Sequence, residues 1–370
     1  MTEPDPPQGD RVFRGSYYRS LDAALARARG EDETAIEPEL SIVDPHHHLF
    51  ASSRGAYLLA DFLRDVASGH RIEQTVFIDS GAAYRMDGPS EFRPVGETAF
   101  VVRHIQDSPS GTHVAAAIVG HIDLDLGDRV EEVANAHIAA GEGRFRGVRD
   151  LVQYDASPVG EFSSRRPPAG RMKTPAFRDG IRRLGQMGLS FDLWMFHPQI
   201  DEAVSLADAC PDTLIIIDHL AMPLGVGPYA THRREVFEAW RQGLEQLAKR
   251  PNLRLKLGGL GMPYAGFDHH FPQTPPSSTE LARAWLPFVE TACLLFGADR
   301  CMFESNFPAD AQTCGYGTIW NAFKRLTADW STAERDMLFS GTARATYRLD
   351  VPLRGVKRPA SPGCTGCRCP

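Results

Sequence analysis

The densest chemistry in the chain is Asp44-Pro45-His46-His47-His48, inside "SIVDPHHHLF" at residues 41 to 50. An imidazole can bind a metal through either nitrogen, accept a proton or donate one. Three in succession after a short apolar run are rarely needed for packing. Side chains alternate along an extended segment, so His46 and His48 share a face and His47 points away. Residues two apart sit about 6.5–7 Å apart along a strand. Imidazoles with that spacing can converge on one ion, each at roughly 2.0–2.1 Å. The pattern predicts a functional site on His46 and His48, against the plainer reading of a loop of solvated histidines.

Other apolar runs also end in polar groups. Arg149-Asp150 closes "FRGVRD", His197 follows "FDLWM", and Asp218-His219 closes "IIID". Lys256 lies in "NLRLKLG", and Glu304-Ser305-Asn306 follows "RCMF". Each alone has a structural reading: a hydrogen-bonded histidine, a solvated lysine, an arginine paired with Asp150 or a neighbour. Their shared position at the ends of apolar runs is what a common site requires.

The elements that must position these groups follow from periodicity. Short β-branched runs at 41–44, 74–80, 113–120, 145–150, 189–195, 213–218, 252–258 and 300–305 read as strands. Helical patterns lie between them at 57–68, 96–107, 128–140, 176–187, 199–209, 232–249 and 279–296, with 317–328 and 332–347 after the last strand. Ser277 with Glu280, and Ser331 with Glu334, are capping boxes. Strand–helix alternation means a parallel sheet with crossover helices. Eight such units predict an α/β fold, a (β/α)8 TIM barrel, in which chemistry sits at the C-terminal strand ends. An open doubly wound sheet is the alternative, but no G-x-G-x-x-G follows the first strand. The expected organisation is an N-terminal extension with a short helix (1–39), the barrel (40–350) and a loose C-terminal tail (351–370).

Composition sets outer limits. The net charge is −7 and no long basic run occurs, which argues against a nucleic-acid groove. No stretch approaches the ~20 apolar residues of a membrane span. The polar, Pro-rich N-terminus lacks the apolar centre of a signal peptide. A cytoplasmic protein acting on a small molecule is expected, with homo-oligomerisation left open. Of seven cysteines, Cys364, Cys367 and Cys369 crowd the tail. A tail without fixed structure is the expectation there, and a soft-metal site the alternative.

The sequence resembles the amidohydrolase superfamily, and within it the lactonase-like branch. The resemblance runs over roughly residues 40 to 348. It rests on "DPHHHLF" (44–50), "AYRMDGPSEFRPVGETAFV" (83–101), "FRGVRD" (145–150), "FDLWMFHPQ" (191–199), "IIIDHLAMP" (215–223), "LKLGGLGM" (255–262) and "MFESNFPAD" (302–310). It implies a divalent metal, often zinc, on His46 and His48, completed by His197 and His219. It also implies an aspartate after the last strand that binds metal and activates water. This chain has Asn306 there. An amide takes no proton from water. Glu304 or Asp310 could substitute, the reaction could need no aspartate, as for an activated lactone, or the site could be metal-free.

The resemblance thus implies a hydrolase opening a lactone or activated ester of a small, carboxylate-bearing substrate. His219, Asn306 and Glu304 are the catalytic candidates. Arg149, Lys256 and Tyr84 are the substrate-binding ones, and His46, His48 and His197 the metal ligands. A decarboxylase or other lyase on the same scaffold is the alternative, and a degenerate, binding-only member the third reading. The long segment 153–175 could be a lid or lack fixed structure.

Overall fold

The β-branched runs and the helical stretches between them build a parallel barrel wrapped by helices. The computed structural model describes residues 13, 15, 17–31, 33–52, 55–106, 111–162 and 165–349. The cysteine-rich tail lies outside them. After β1 (Ile42–His47) comes a small antiparallel hairpin, β2 (Phe50–Ser52) with β3 (Gly55–Tyr57). The remaining strands are β4 (Ile72–Ile78), β5 (His113–Gly120), β6 (Phe145–Leu151), β7 (Ser190–Trp194), β8 (Ile215–Ile217), β9 (Leu253–Leu257) and β10 (Cys301–Phe303). β1 and β4 to β10 pair in sequence order as one parallel eight-stranded sheet. All eight strands expected from the sequence are present. β8 is three isoleucines, each buried, as a strand covered on both faces requires.

The helices that cross over between strands are α2 (Leu59–Val66), α3 (Val95–His104), α4 (Val130–Ala140), α5 (Pro175–Gln186), α6 (Ile200–Ala209), α7 (Arg233–Ala248) and α8 (Ser278–Phe296). Both capping boxes form: Ser277 and Ser331 exchange hydrogen bonds with Glu280 and Glu334. After β10 come α9 (Tyr316–Leu326), α10 (Thr332–Asp336) and α11 (Thr342–Tyr347). The single helix expected over 332–347 is interrupted by a π-type turn at Met337–Gly341. No helix among the described residues is long and apolar enough to cross a membrane.

Two apolar layers result. The larger lies between strands and helices. A smaller one joins Val43, Val76, Ile78, Ala117, Val119, Ile216 and Met302, with Ala343, Tyr347 and Leu349 packed on it from the end of the chain. The seam between β10 and β1 is closed largely by side chains. Asp44 accepts from the Ser305 N–H at 3.0 Å, the Ser305 hydroxyl at 2.6 Å and the Tyr316 hydroxyl at 3.0 Å. One backbone bond, from the N–H of His48 to the carbonyl of Phe307, and a bridge between His47 and Phe307 complete it.

The N-terminal extension packs on the barrel. α1 (Leu21–Ala28) is capped by Ser20. Arg27 donates to the carbonyls of His269, Pro272, Gln312 and Thr313, tying the loop after β9 to the loop after β10. Arg29 grips Asp65 with two hydrogen bonds, at 2.7 and 2.8 Å. Segment 153–175 is packed down where it is described: Val159 and Met172 are buried, and Arg171 bonds Asp150 at 2.7 Å.

Candidate active site

The strand ends gather polar groups in two tiers. In the lower one, Lys256 on β9 is fully buried. Its Nζ lies 2.7 Å from Asp192 Oδ2 on β7, 3.0 Å from Asp218 Oδ1 after β8, and 3.2 Å from Nδ1 of His46. Tyr347 of α11 donates to the same Asp192 oxygen at 2.6 Å. Burial works against the ammonium, but Asp192 and Asp218 outweigh it and hold the lysine charged. Burial likewise opposes the Asp218 carboxylate, and Lys256 and His46 keep it well below the usual range. At Asp192 burial prevails over Lys256 and pushes the carboxyl up to about 6.

Above this, Glu304 joins two imidazoles. His219 donates from Nδ1 to Oε1 at 2.6 Å and from its backbone N–H at 3.2 Å. Oε2 lies 2.8 Å from Nδ1 of His46. The two rings are 4.6 Å apart, centre to centre. Burial opposes ionisation of Glu304, yet His219 and His46 hold it down to about 2. Burial, then Lys256, lowers His46 against the pull of Glu304 and Asp218. His219 reaches this position from an unusual turn, in which His219, Leu220, Ala221 and Met222 all have positive φ. Such clusters of non-glycine residues recur at functional sites because strain there must be held by the surroundings.

These residues fit a divalent cation. The ligating atoms of His46, His219 and Glu304 lie within 4.8 Å of one another, all buried. Asp192, Asp218 and Glu304 outnumber the single ammonium of Lys256. Both oxygens of Asp218 and Oε2 of Glu304 make no aligned hydrogen bond among the described residues. Two imidazoles and a carboxylate form a three-ligand set that leaves a position open for substrate or water.

The other residues expected at the site lie as follows. His47 turns away, stacked on Phe62 with its Nε2 at 2.9 Å from the Thr75 hydroxyl. Arg149 stands beside His46, its Nη1 3.5 Å from Nε2, and donates to the Asp79 carbonyl. Tyr84 donates to Asp79 at 2.8 Å and receives Arg165 at 2.8 Å. Asn306, at φ +51, donates to Asp310 at 2.8 Å. Three of the expected residues stand differently in this arrangement. His48 is outside the metal-capable group: its Nδ1 is 2.8 Å from the Ile78 carbonyl and its ring meets His46 edge-on at 5.0 Å. His197 is also outside it, with Nδ1 accepting from the Leu224 N–H at 3.2 Å and its ring against Tyr229. Lys256 has no face toward a substrate, since Asp192, Asp218 and His46 enclose it.

Sequence reasoning missed Asp192 and the glycines after β9. A charged residue at an inward position of "SFDLW" was a legible signal for the first. For the glycines the signal was "GGLG" directly after a strand. A Cβ on Gly258 would stand 2.4 Å from Glu304 Cγ, on Gly259 2.6 Å from His219, and on Gly261 2.7 Å from Asp310 Oδ2. The stretch is bare because three acid–base side chains press against it.

Residues 43–349 match the family model described as Amidohydrolase. A protein of Sinorhizobium fredii, y4mH, is 32% identical over 336 residues, covering 84% of this chain and 99% of that one. An L-fucono-1,5-lactonase of Burkholderia ambifaria is 27% identical over 289 residues, covering 73% of this chain and 88% of the lactonase. Among solved structures, an amidohydrolase of Burkholderia multivorans with bound zinc superposes with a TM-score of 0.63 at 22% identity, over 83% of this chain and 99% of that one. At that identity the match speaks for the fold.

Proposed function

This chain belongs to the amidohydrolase family, and we propose that it is a hydrolase that opens the ring of a lactone. The observation that carries the reading is the Glu304 carboxylate shared by His46 and His219 at the strand ends, with Arg149 alongside. The similarity to an L-fucono-1,5-lactonase supports a lactone as the substrate.

His46, His219 and Glu304 would hold a divalent ion. Bound there, the ion supplies Lewis-acid polarisation of the lactone carbonyl. Arg149 presents a fixed positive charge beside His46 and suits an anionic oxygen or a substrate carboxylate. Tyr84 and Arg165 form the neighbouring wall of the mouth. Lys256, Asp192 and Asp218 set the charge beneath His46 and fix its ring. Asn306 is a donor and not a base.

The test is hydrolysis of aldono-1,5- and 1,4-lactones followed by acid release, in water enriched in 18O. Ring opening with one labelled oxygen in the carboxylate is the expected outcome. Carbon dioxide release from an aromatic or unsaturated acid, without label, would replace this reading with the lyase one.

A further inference from the structure

Of the two carboxylates that could stand in for the missing aspartate, Glu304 is not free to activate water. Glu304 has one oxygen on each of two imidazoles and would itself hold the ion with them, so neither oxygen is left to take a proton from water. Asn306 is an amide and spends its N–H on a neighbour. That neighbour is Asp310, on the short turn Ala309–Gln312 after β10.

Asp310 is 1% exposed. Its Oδ1 takes the Asn306 amide at 2.8 Å and its Oδ2 the Gly261 N–H at 3.0 Å. Among the described residues, no lysine or arginine forms an ion pair with it, unlike Asp150 or Asp192. Each oxygen keeps a lone pair. The strip Gly258–Gly261 passes Glu304, His219 and Asp310 in turn. His219 and Asp310 therefore press on glycines two residues apart, whose Cα atoms are no more than about 7.6 Å apart.

The geometry points to Asp310 as the general base of the hydrolysis, held in place by Asn306. This rests on the lactone reading. The attacking water gives a proton to the Asp310 carboxylate as its oxygen bonds to the lactone carbonyl carbon. The carbonyl π pair moves onto the carbonyl oxygen. When the pair returns, the bond from the acyl carbon to the ring oxygen breaks, and Asp310 returns its proton to the departing alkoxide. Lactone and water become one hydroxy acid, with Asp310 unchanged. Burial pushes Asp310 up to about 7 against the neighbouring His219 and its two hydrogen bonds, which suits a base working near neutrality. His219, Glu304 and Cys314 are the titratable groups around it.

The test compares the full-length protein with Asp310→Asn, Asn306→Ala and the exchange Asn306→Asp/Asp310→Asn, on the lactone the unmodified protein turns over best. Asp310→Asn should lower kcat by about 100-fold or more, with KM little changed. It should also remove the acid limb of the kcat/KM profile near pH 7. The exchange, which moves the carboxylate to the other end of one hydrogen bond, should regain at least part of the loss. Asn306→Ala keeps the base but removes a bond to its charged form, so the acid limb should move up by about half a pH unit or more. If Asp310→Asn does not fold, judged by circular dichroism, that limb decides alone. A folded Asp310→Asn with kcat within threefold of the unmodified protein, or an acid limb that Asn306→Ala leaves in place, overturns the assignment and spares the lactonase reading. No lactone hydrolysis by the unmodified protein overturns both.

Discussion

Replacing Gly259 with alanine isolates a single contact of the site. Gly259 holds φ +69, and a Cβ there would stand 2.6 Å from Cβ and Cγ of His219 and 2.7 Å from its Nδ1. Carbon atoms in contact need about 3.5 Å, so the imidazole must retreat by roughly 0.9 Å. Nδ1 is the atom Glu304 holds at 2.6 Å. Moving it that far takes the pair to the limit of a hydrogen bond and breaks the carboxylate bridge to His46. A misplacement of about 1 Å can lower a rate by about 100-fold. The backbone adds a separate cost, since a left-handed conformation is worth about 1–2 kcal/mol against alanine. Gly188 supplies the control: φ is +68 and nothing lies within 4 Å of the added Cβ. The backbone term should lower Tm by a few degrees at most in both variants, with Gly259→Ala losing more because it also breaks the buried His219–Glu304 bond. Only Gly259→Ala should lose kcat, by about 100-fold. Lactone turnover and melting curves measured side by side decide the matter. Equal activities in the two variants would refute the claim that this glycine is bare to admit His219.

Three further outcomes follow from the same contacts. Lys256→Met strands the charge of Asp218 and should cost about 3–5 kcal/mol in chemical denaturation, part of which Asp218→Asn in the same chain restores; a loss under about 1 kcal/mol would contradict the buried network. Elemental analysis after dialysis against zinc should find the ion lost in His46→Ala and Glu304→Gln but retained in His197→Ala, whose Nδ1 is committed to Leu224; the reverse pattern would reinstate His197 as a ligand. Arg27→Ala should speed hydrogen exchange in 269–274 and 309–314 while leaving α7 unchanged, and uniform exchange would show that the N-terminal clamp is passive.

Much of this was legible in the chain because a barrel converts a linear pattern into a ring. Each apolar run ends at the mouth, so "DPHHHLF", "IIIDHLAMP" and "MFESNFPAD" named the neighbourhood of the site, and strand alternation separated His47 from His46. What the pattern could not supply was distance around the ring. His197 and His219 looked equivalent, yet the positive-φ turn at 219–222 swings one inward, and the other accepts a backbone N–H. Lys256 looked like a substrate cation because its partners, Asp192 and Asp218, come from separate strands. Asp310 was visible as a nearby carboxylate, but its contacts with Asn306 and Gly261 depend on how two loops fold over each other.

The closure at Asp44 bears on how the molecule comes into being. Asp44 and Ser305 are 261 positions apart, and the groups that join them are chain neighbours of His46 and Glu304. During synthesis, β1 waits with one edge unpaired until nearly the whole barrel has emerged, and open strand edges invite association with other chains. Long-range pairing of this kind is also intrinsically slow to form. The ring and the candidate site are therefore completed by the same stretch of chain, since Asp44 and Ser305, which close the one, flank His46 and Glu304 of the other.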